Sequence, residues 1–319
     1  MLTLSKIAKL ANVSISTASK AFSMSPEVNE ETRKMIFDIA KEHGCFKNFF
    51  NAKYPKLVIA VICPEFESPY YSSFLSHMQI VLERFDCEIC VATTHFSKTR
   101  GKELVDYYTK YARVDGIMLI DGASALEAAG DVPIVCIGWA KEPATRVSMS
   151  HRKAFAEAID YFISNGVRDI GFIGEKLTSS KQNLFSEIMT DKLGGINPDF
   201  VGVGDRFSDG AYITTEQMLK KGAPPRALIC AYDYLAIGTI RCLSDYGYRV
   251  PEDVLVLGMD DIPEAPYLNP PLSSIASNID EVCEAAATTL TSMIMGKPYN
   301  NNTVIESTLR LRKSTEITL

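Results

Sequence analysis

Apolar positions repeat with two different periods along this chain, and the change of period divides it. Up to Gly44 the spacing is helical: Leu4, Ile7, Ala8, Leu10 and Ala11, then a run from about Ile15 to Phe22, then Met35, Ile36, Ile39 and Ala40. Thr3, Ser14 and Asn29 stand ahead of these runs as N-caps, Glu30 and Glu31 occupy the first turn of the third helix, where the dipole favours acids, and Gly44 ends it. Asn12 and Val13 break the first run from the second, which predicts a helix-turn-helix. The second helix carries Ser14, Ser16, Thr17, Ser19 and Lys20, small hydroxyl side chains and one cation, a set suited to entering a major groove.

From Leu57 onward the pattern is one of continuous apolar runs of strand length: Leu57–Cys63, Glu88–Thr93, Gly116–Ile120, Ile134–Ile137, Ile170–Ile173, Ala227–Ala231 and Val254–Leu257. Such runs mark strands covered on both faces. Helical patterns over Ser72–Phe85, Thr99–Ala112, Lys153–Asn165, Ser179–Lys192, Gly210–Lys221 and Tyr234–Tyr246 alternate with them. The expectation is an α/β chain, with a helix-turn-helix headpiece followed by a body of two doubly wound parallel sheets, one ending near Val147 and one starting near Ala154. Ligands bind such folds at the carboxyl ends of the strands.

Composition narrows the function. With 319 residues, 46% apolar and 23% charged, the chain is neither disordered, collagenous nor a disulfide scaffold. No run is long enough to span a membrane. Eight cysteines behind an amphipathic N-terminus bearing Lys6 and Lys9, with no leader pattern, predict reduced thiols and a cytoplasmic protein. The net charge of −6 hides a split: residues 1–56 carry nine Lys/Arg against five acids, +4, leaving −10 on the remainder. A basic module on an acidic body points to nucleic acid met at one end only.

Motifs for catalysis are missing. There is no GxxxxGK[ST], no GxSxG and no complete GxGxxG, Gly202-Val-Gly204 being a fragment. Cys87-Glu-Ile-Cys90 opens a strand and has no second metal-ligand pair, which predicts structural thiols. The histidines His43, His77, His95 and His151 are scattered, and Asp260 and Asp261, adjacent on an extended chain, should point apart. No enzyme, cofactor or metal is expected.

The stretch Leu4–Phe22 followed by Val28–Arg33 closely resembles the headpiece of the LacI/GalR family of bacterial transcription regulators, matching at Ala8, Val13-Ser14, Ser16-Thr17, Ser19 and Glu31-Thr32-Arg33. Ala231–Gly238, Gly247–Val254, Gly258–Pro263, Pro270–Leu272, Arg312–Thr315, Glu65–Tyr71 and Gly166–Gly174 resemble the effector domain of the same family, so the likeness covers essentially the whole chain. It implies a periplasmic-binding-protein-like body of two subdomains joined by three crossovers, with a ligand in the cleft between them, and a homodimer that sets two headpieces on operator DNA. The implied domains are a headpiece over 1–47, a hinge linker over 48–56 and an effector-binding and dimerisation domain over 57–319. Within the last, one subdomain comprises about 57–148 and 277–304, the other about 149–276 and 305–319.

By this resemblance Ile15, Ser16 and Lys20 sit where the family reads bases, with Lys20 reaching either a guanine edge or only a phosphate; Ser14, Thr17, Ser19 and Asn29 position the phosphates, and Thr3 is a further DNA-binding residue. The linker Cys45–Lys56 is shorter than the family pattern and lacks its Ala-Leu-Ala core. Phe49 or Phe50 is the expected minor-groove wedge, and Pro55 bars a helix from running into the next strand. In the cleft, Tyr70 and Tyr71 match the family's aromatic pair, Phe207 the aromatic floor, Asp260 the ligand-binding carboxylate, and Tyr232-Asp233 the usual Asn-Asp. Lys181 stands in place of an effector-gripping Arg, Met149-Ser150 in place of Asp-Asn, and Met259 in place of an aromatic, which predicts a less polar cleft. The implied function is a dimeric transcription regulator, a repressor, controlled by a sugar or sugar derivative. The alternatives are control by a protein corepressor or by no effector, and a ligand-binding module of periplasmic type with no role on DNA.

Overall fold

Four helices build an N-terminal unit in the computed structural model: α1 (Leu4–Leu10), α2 (Ile15–Phe22), α3 (Glu30–Glu42) and the single turn α4 (Phe46–Phe49). The structure describes residues 2–50, 56–121, 132–138, 144–177 and 179–317. Thr3, Ser14 and Asn29 cap the first three helices, their side-chain oxygens accepting from the N–H groups of Lys6, Thr17 and Thr32. Ile7, Ala11, Ala21, Phe22, Val28, Ile36 and Ala40 form a small core of their own. Arg33 fastens the loop before α3, donating from Nη2 to the carbonyls of Ser25 at 2.7 Å and Val28 at 2.8 Å.

The chain divides at Leu57/Val58 into this unit and a larger one. The larger unit holds two six-stranded sheets among the described residues. The first contains β1 (Leu57–Cys63), β2 (Cys87–Thr93), β3 (Gly116–Ile120), β4 (Ile134–Ile137), β5 (Arg146–Ser150) and β11 (Asn302–Glu306), in the order β11-β5-β4-β3-β1-β2. The second contains β6 (Ile170–Glu175), β7 (Val201–Gly204), β8 (Ala227–Cys230), β9 (Leu255–Asp260), β10 (Ser273–Ala276) and β12 (Thr308–Arg310), in the order β12-β10-β9-β8-β6-β7. Central pairs are parallel, with Ile59 opposite Gly116 and Ile170 opposite Ala227, whereas β12 runs antiparallel to β10. Helices α5 (Pro69–Arg84), α6 (Lys98–Asp106) and α11 (Ile279–Ile294) accompany the first sheet; α7 (Arg152–Ser164), α8 (Ser179–Leu193), α9 (Phe207–Leu219) and α10 (Asp233–Asp245) accompany the second.

Two features differ from expectation. The segment expected to be a helix over Thr99–Ala112 keeps α geometry only to Asp106 and widens into a π turn over Tyr107–Ala112. The chain also changes sheet slightly later than expected, because β5 runs to Ser150 and β11 to Glu306.

Candidate functional site

On the N-terminal unit, α2 offers one face to solvent. Ala18, Ala21 and Phe22 point inward, while Ser14, Ile15, Ser16 and Ser19 are exposed, with Thr17 and Lys20 half-buried at the edge. Ile15 is 53% exposed, an apolar side chain left uncovered beside hydroxyls. The Ser14 Oγ accepts from the Thr17 N–H at 2.9 Å and lies 2.7 Å from the Thr17 Oγ1, so capping leaves this face rigid. The Lys20 ammonium pairs with Glu27, an exposed contact that a phosphate or a guanine edge can displace at small cost.

Both wedge candidates make ring contacts within the headpiece, although Phe50 remains 39% exposed. Phe49 packs 5.7 Å from the Phe22 ring, and Phe50 stacks on Phe46 at 4.9 Å and meets Phe37 edge-on at 5.5 Å. Five phenylalanines thus share one cluster at the end of α3, and burying an aromatic ring outweighs leaving it in water by a few kcal/mol (roughly 2). The part of the linker carrying Pro55 lies outside the described residues.

In the larger unit, a cleft of about 1020 Å³ opens where the carboxyl ends of both sheets face each other. Its first wall carries Tyr70, Tyr71, Phe96, Asp121 and Met149; the second carries Glu175, Lys181, Arg206, Tyr232, Tyr234 and Asp260. Several residues around the cleft are non-glycines at positive φ: Phe96 (60°) in the loop after β2, Asp121 (52°) just past β3, Phe207 (65°) at the start of α9 and Asp260 (96°) at the end of β9. Strained backbone of this kind persists where the surroundings impose it, commonly at binding sites.

Tyr70 and Tyr71 meet edge to face at 5.1 Å. The Tyr71 hydroxyl donates to Asp121 Oδ2 at 2.9 Å, and that of Tyr70 reaches the Met149 sulfur at 3.7 Å. Across the cleft, Tyr232 and Tyr234 stack nearly parallel at 5.2 Å. Lys181 is buried and turned onto the protein itself. Its Nζ donates to the Ala231 carbonyl at 2.9 Å, sits 3.5 Å from Asp260 Oδ1 and lies 3.7 Å above the Tyr232 ring. Burial lowers its ammonium, and Asp260 opposes that fall. Asp260 also accepts from the Ser277 hydroxyl at 2.9 Å.

Asp261 points the other way, as expected, to Arg310 and Arg312 at 3.1 and 2.7 Å. The turn between them is shaped by Asp233. This carboxylate lies outside the cavity lining and accepts from the Ser274 hydroxyl at 2.7 Å and the Ile262 N–H at 2.8 Å. Only glycine fits at position 258, since a Cβ there would stand 2.0 Å from Asp233 Oδ1.

Phe207 does not form the cleft floor. It is partly buried beneath Arg206, whose guanidinium lies 4.7 Å over its ring and 4.9 Å over that of Phe96. Arg206 takes the place at the cavity surface. It donates to both oxygens of Glu65, at 2.9 and 2.7 Å, and its Nε lies 3.5 Å from Glu175 Oε1. Glu65 follows β1 and Arg206 precedes α9, so this bidentate pair joins the two halves across the cleft. The Tyr234 hydroxyl completes the group, donating to Glu175 Oε2 at 3.1 Å.

Three crossings connect the halves, and hydrogen bonds tie them together. The Ser307 N–H donates to the Ser150 carbonyl at 2.9 Å, the Asn278 Nδ2 to the Glu306 carbonyl at 2.8 Å, and His151 Nδ1 lies 2.7 Å from Ser307 Oγ. Burial, with the Lys181 charge behind it, pulls the His151 imidazole from 6.5 down to about 3. The unfolded chain binds that proton and the folded one does not, so the contribution of His151 is complete above its unfolded value and is lost as pH falls. Between pH 7 and 5 the loss is about 2 kcal/mol. Urea unfolding at both pH values should show it as a difference between the protein and His151→Gln; equal pH dependence in the two would mean that His151 takes up its proton as readily in the folded chain as in the unfolded one.

Residues 3–48 match the family described as bacterial regulatory proteins, lacI family, and residues 159–315 match the periplasmic binding protein-like domain. The chain belongs to the LacI family. LacI-family members are non-enzymatic DNA-binding transcription regulators. The ribose operon repressor of Haemophilus influenzae is 26% identical over 98% of this chain and 98% of its own. A structure of the lac repressor dimer bound to operator and the anti-inducer ONPF shares the fold, with a TM-score of 0.76 at 21% identity over 98% of this chain and 99% of that one. So does the transcriptional regulator CelR in complex with cellobiose, with a TM-score of 0.70 at 24% identity over 98% and 100%.

This LacI-family cleft gathers Tyr70, Tyr71, Met149, Lys181, Tyr232 and Asp260, all singled out in the sequence, and leaves Phe207 one layer behind. It adds Asp121, Glu175 and Arg206, which the sequence reading missed. Asp121 directly follows β3 and Glu175 ends β6, where the strand-end rule applied to every predicted strand would have placed them. The pairing of Arg206 with Glu65 left no local signal, because 141 residues separate them.

Proposed function

We propose that this LacI-family regulator is a dimeric operator-binding repressor controlled by a sugar or sugar derivative in the cleft. The observation that carries the DNA reading is the exposed face of α2 on a self-contained unit whose chain segment is basic. Ile15, Ser16 and Lys20 would meet base edges, and Thr3, Ser14, Thr17, Ser19 and Asn29 the phosphates. The headpiece extends to Phe50 in this reading, since Phe49 and Phe50 belong to its aromatic cluster, and the effector domain begins at β1. Aromatic walls with interspersed hydroxyls and carboxylates suit a polyhydroxylated ligand, and the cellobiose complex of CelR is a precedent on the same fold. The exposed Ile80 on α5 and Val91 on the edge strand β2 support pairing of two copies along that side. Among the described residues no helix is long and apolar enough to cross a membrane, and a DNA-binding role places the protein in the cytoplasm.

Ligand binding shifts DNA affinity only if it favours one arrangement of the two halves over the other. Selection from a random duplex pool should enrich one near-palindromic sequence. On that sequence Lys20→Ala should weaken binding; a loss uniform over all sequences, with the salt slope reduced by about one, marks a phosphate contact, and a loss confined to one base position marks direct readout. If the pool yields no enriched sequence, specific DNA binding is refuted.

A further inference from the structure

We propose that the effector is an amino sugar, a polyol bearing a protonated amine, and that Asp121 receives the amine. The inference rests on the reading of the cleft as an effector site and names the class of molecule it takes.

The cations that reach the cavity are already engaged. Lys181 is held by the Ala231 carbonyl, Asp260 and the face of Tyr232. Arg206 is held by Glu65 and Glu175. At the rim, Arg146 donates to Asn302 Oδ1 at 2.9 Å and Arg152 to Glu187 Oε2 at 2.6 Å. A phosphate or carboxylate entering the cleft would compete with these partners for the cations, and it would face three carboxylates in the walls: Asp121, Glu175 and Asp260.

Asp121 differs from the other two. Glu175 has Arg206 and Asp260 has Lys181, but among the described residues no cation forms an ion pair with Asp121. Its side chain accepts from the Tyr71 hydroxyl, which leaves Oδ1 open to a donor. The backbone fixes its aim. Asp121 follows β3 at a φ of 52°, its N–H donates to the Ile137 carbonyl at 3.0 Å, and Oδ1 lies over bare backbone, because a Cβ on Gly138 would stand 2.6 Å away. Enclosure by the cleft walls raises this carboxyl above its ordinary range, more than Tyr71 and Lys181 lower it, although Asp121 stays accessible to water from the cavity. An ammonium placed against it would satisfy the carboxylate. The hydroxyls of the same ligand would then fall to Asp260 and the serines of the lining.

Thermal-shift screening followed by calorimetric titration of the full chain tests this, using glucosamine, galactosamine and mannosamine, their N-acetyl forms, the parent hexoses and the hexose 6-phosphates. The expected result is binding of an amino sugar at least tenfold tighter than its N-acetyl form and its parent hexose, with no binding of the phosphate. Asp121→Asn preserves the shape and tolerates the left-handed backbone; it should reduce amino-sugar affinity at least tenfold more than that of the parent hexose. If Asp121→Asn does not fold, the amine against N-acetyl comparison on the unaltered protein decides. Parent hexoses or phosphates binding as tightly as the amines would overturn the proposal and leave the carbohydrate reading standing. Failure of the whole panel would overturn the amino-sugar proposal, and failure of cellobiose and lactose as well would overturn the carbohydrate reading on which it rests.

Discussion

Phe22→Ala should abolish operator binding while the larger unit melts as before. Phe22 is 1% exposed and is the centre of the headpiece, with Phe37, Phe46 and Phe49 all within about 6 Å of its ring. Truncating a buried phenylalanine to alanine costs about 3–5 kcal/mol. A unit of this size has a total stability of the same order. Once α2 is no longer held against α3, the hydroxyls and Lys20 lose their common face. The two units have separate cores, so the damage stays local. Calorimetry should show the loss of a small low-enthalpy transition, and electrophoretic shift the loss of the complex. Retained operator binding would mean that α1–α3 hold together without the aromatic cluster.

Arg206→Ala should lower the stability of the larger unit by about 3 kcal/mol, because it strands a buried carboxylate. Glu175 is 3% exposed, and burial already pushes its carboxyl up against the pull of Arg206 and Tyr234. Without the guanidinium it must find another partner or take a proton. Glu65→Gln provides the contrast. It removes the charge on the opposite side of the cleft but leaves Arg206 with Glu175, so the cost should be about 1 kcal/mol. Urea unfolding separates the two. Equal, small losses would show that Arg206 and Glu175 are not coupled, and that the bridge contributes little beyond a surface pair. If the bridge also holds the halves together, small-angle scattering of Glu65→Gln should report a larger radius of gyration without ligand.

The sequence was most informative where local chemistry decides the outcome. Caps at Thr3, Ser14 and Asn29 predicted three helices that the structure reproduces almost to the residue, because a capping side chain acts on the turn beside it. Strands buried on both faces, such as Gly116–Ile120, were equally plain. What escaped were short or edge strands whose residues answer to their neighbours: β7 is Val-Gly-Val-Gly, β10 opens on two serines, and β11 alternates exposed and half-buried positions. The helix α11 escaped because its buried face is built largely of Ala286, Ala287, Cys283 and threonines, weak markers of a core. In the cleft, residues matching a family pattern were legible one by one. Lys181 could be read as a cation but not as one committed to Asp260, 79 positions away, and Phe49 could be read as apolar but not as a partner of Phe22.

The commitment of Lys181 also constrains how such a regulator can change its signal. An arginine at position 181 would restore the family's usual residue, but Asp260 would remain a carboxylate within its reach and would compete with an acidic effector for it. Loss of the Asp260 charge would have to come first, and that intermediate would leave Lys181 buried beside a carbonyl and a ring. The path to a phosphate-sensing descendant therefore has a fixed order of steps with a less stable stage in the middle, which tends to keep a lineage faithful to the ligands it already answers.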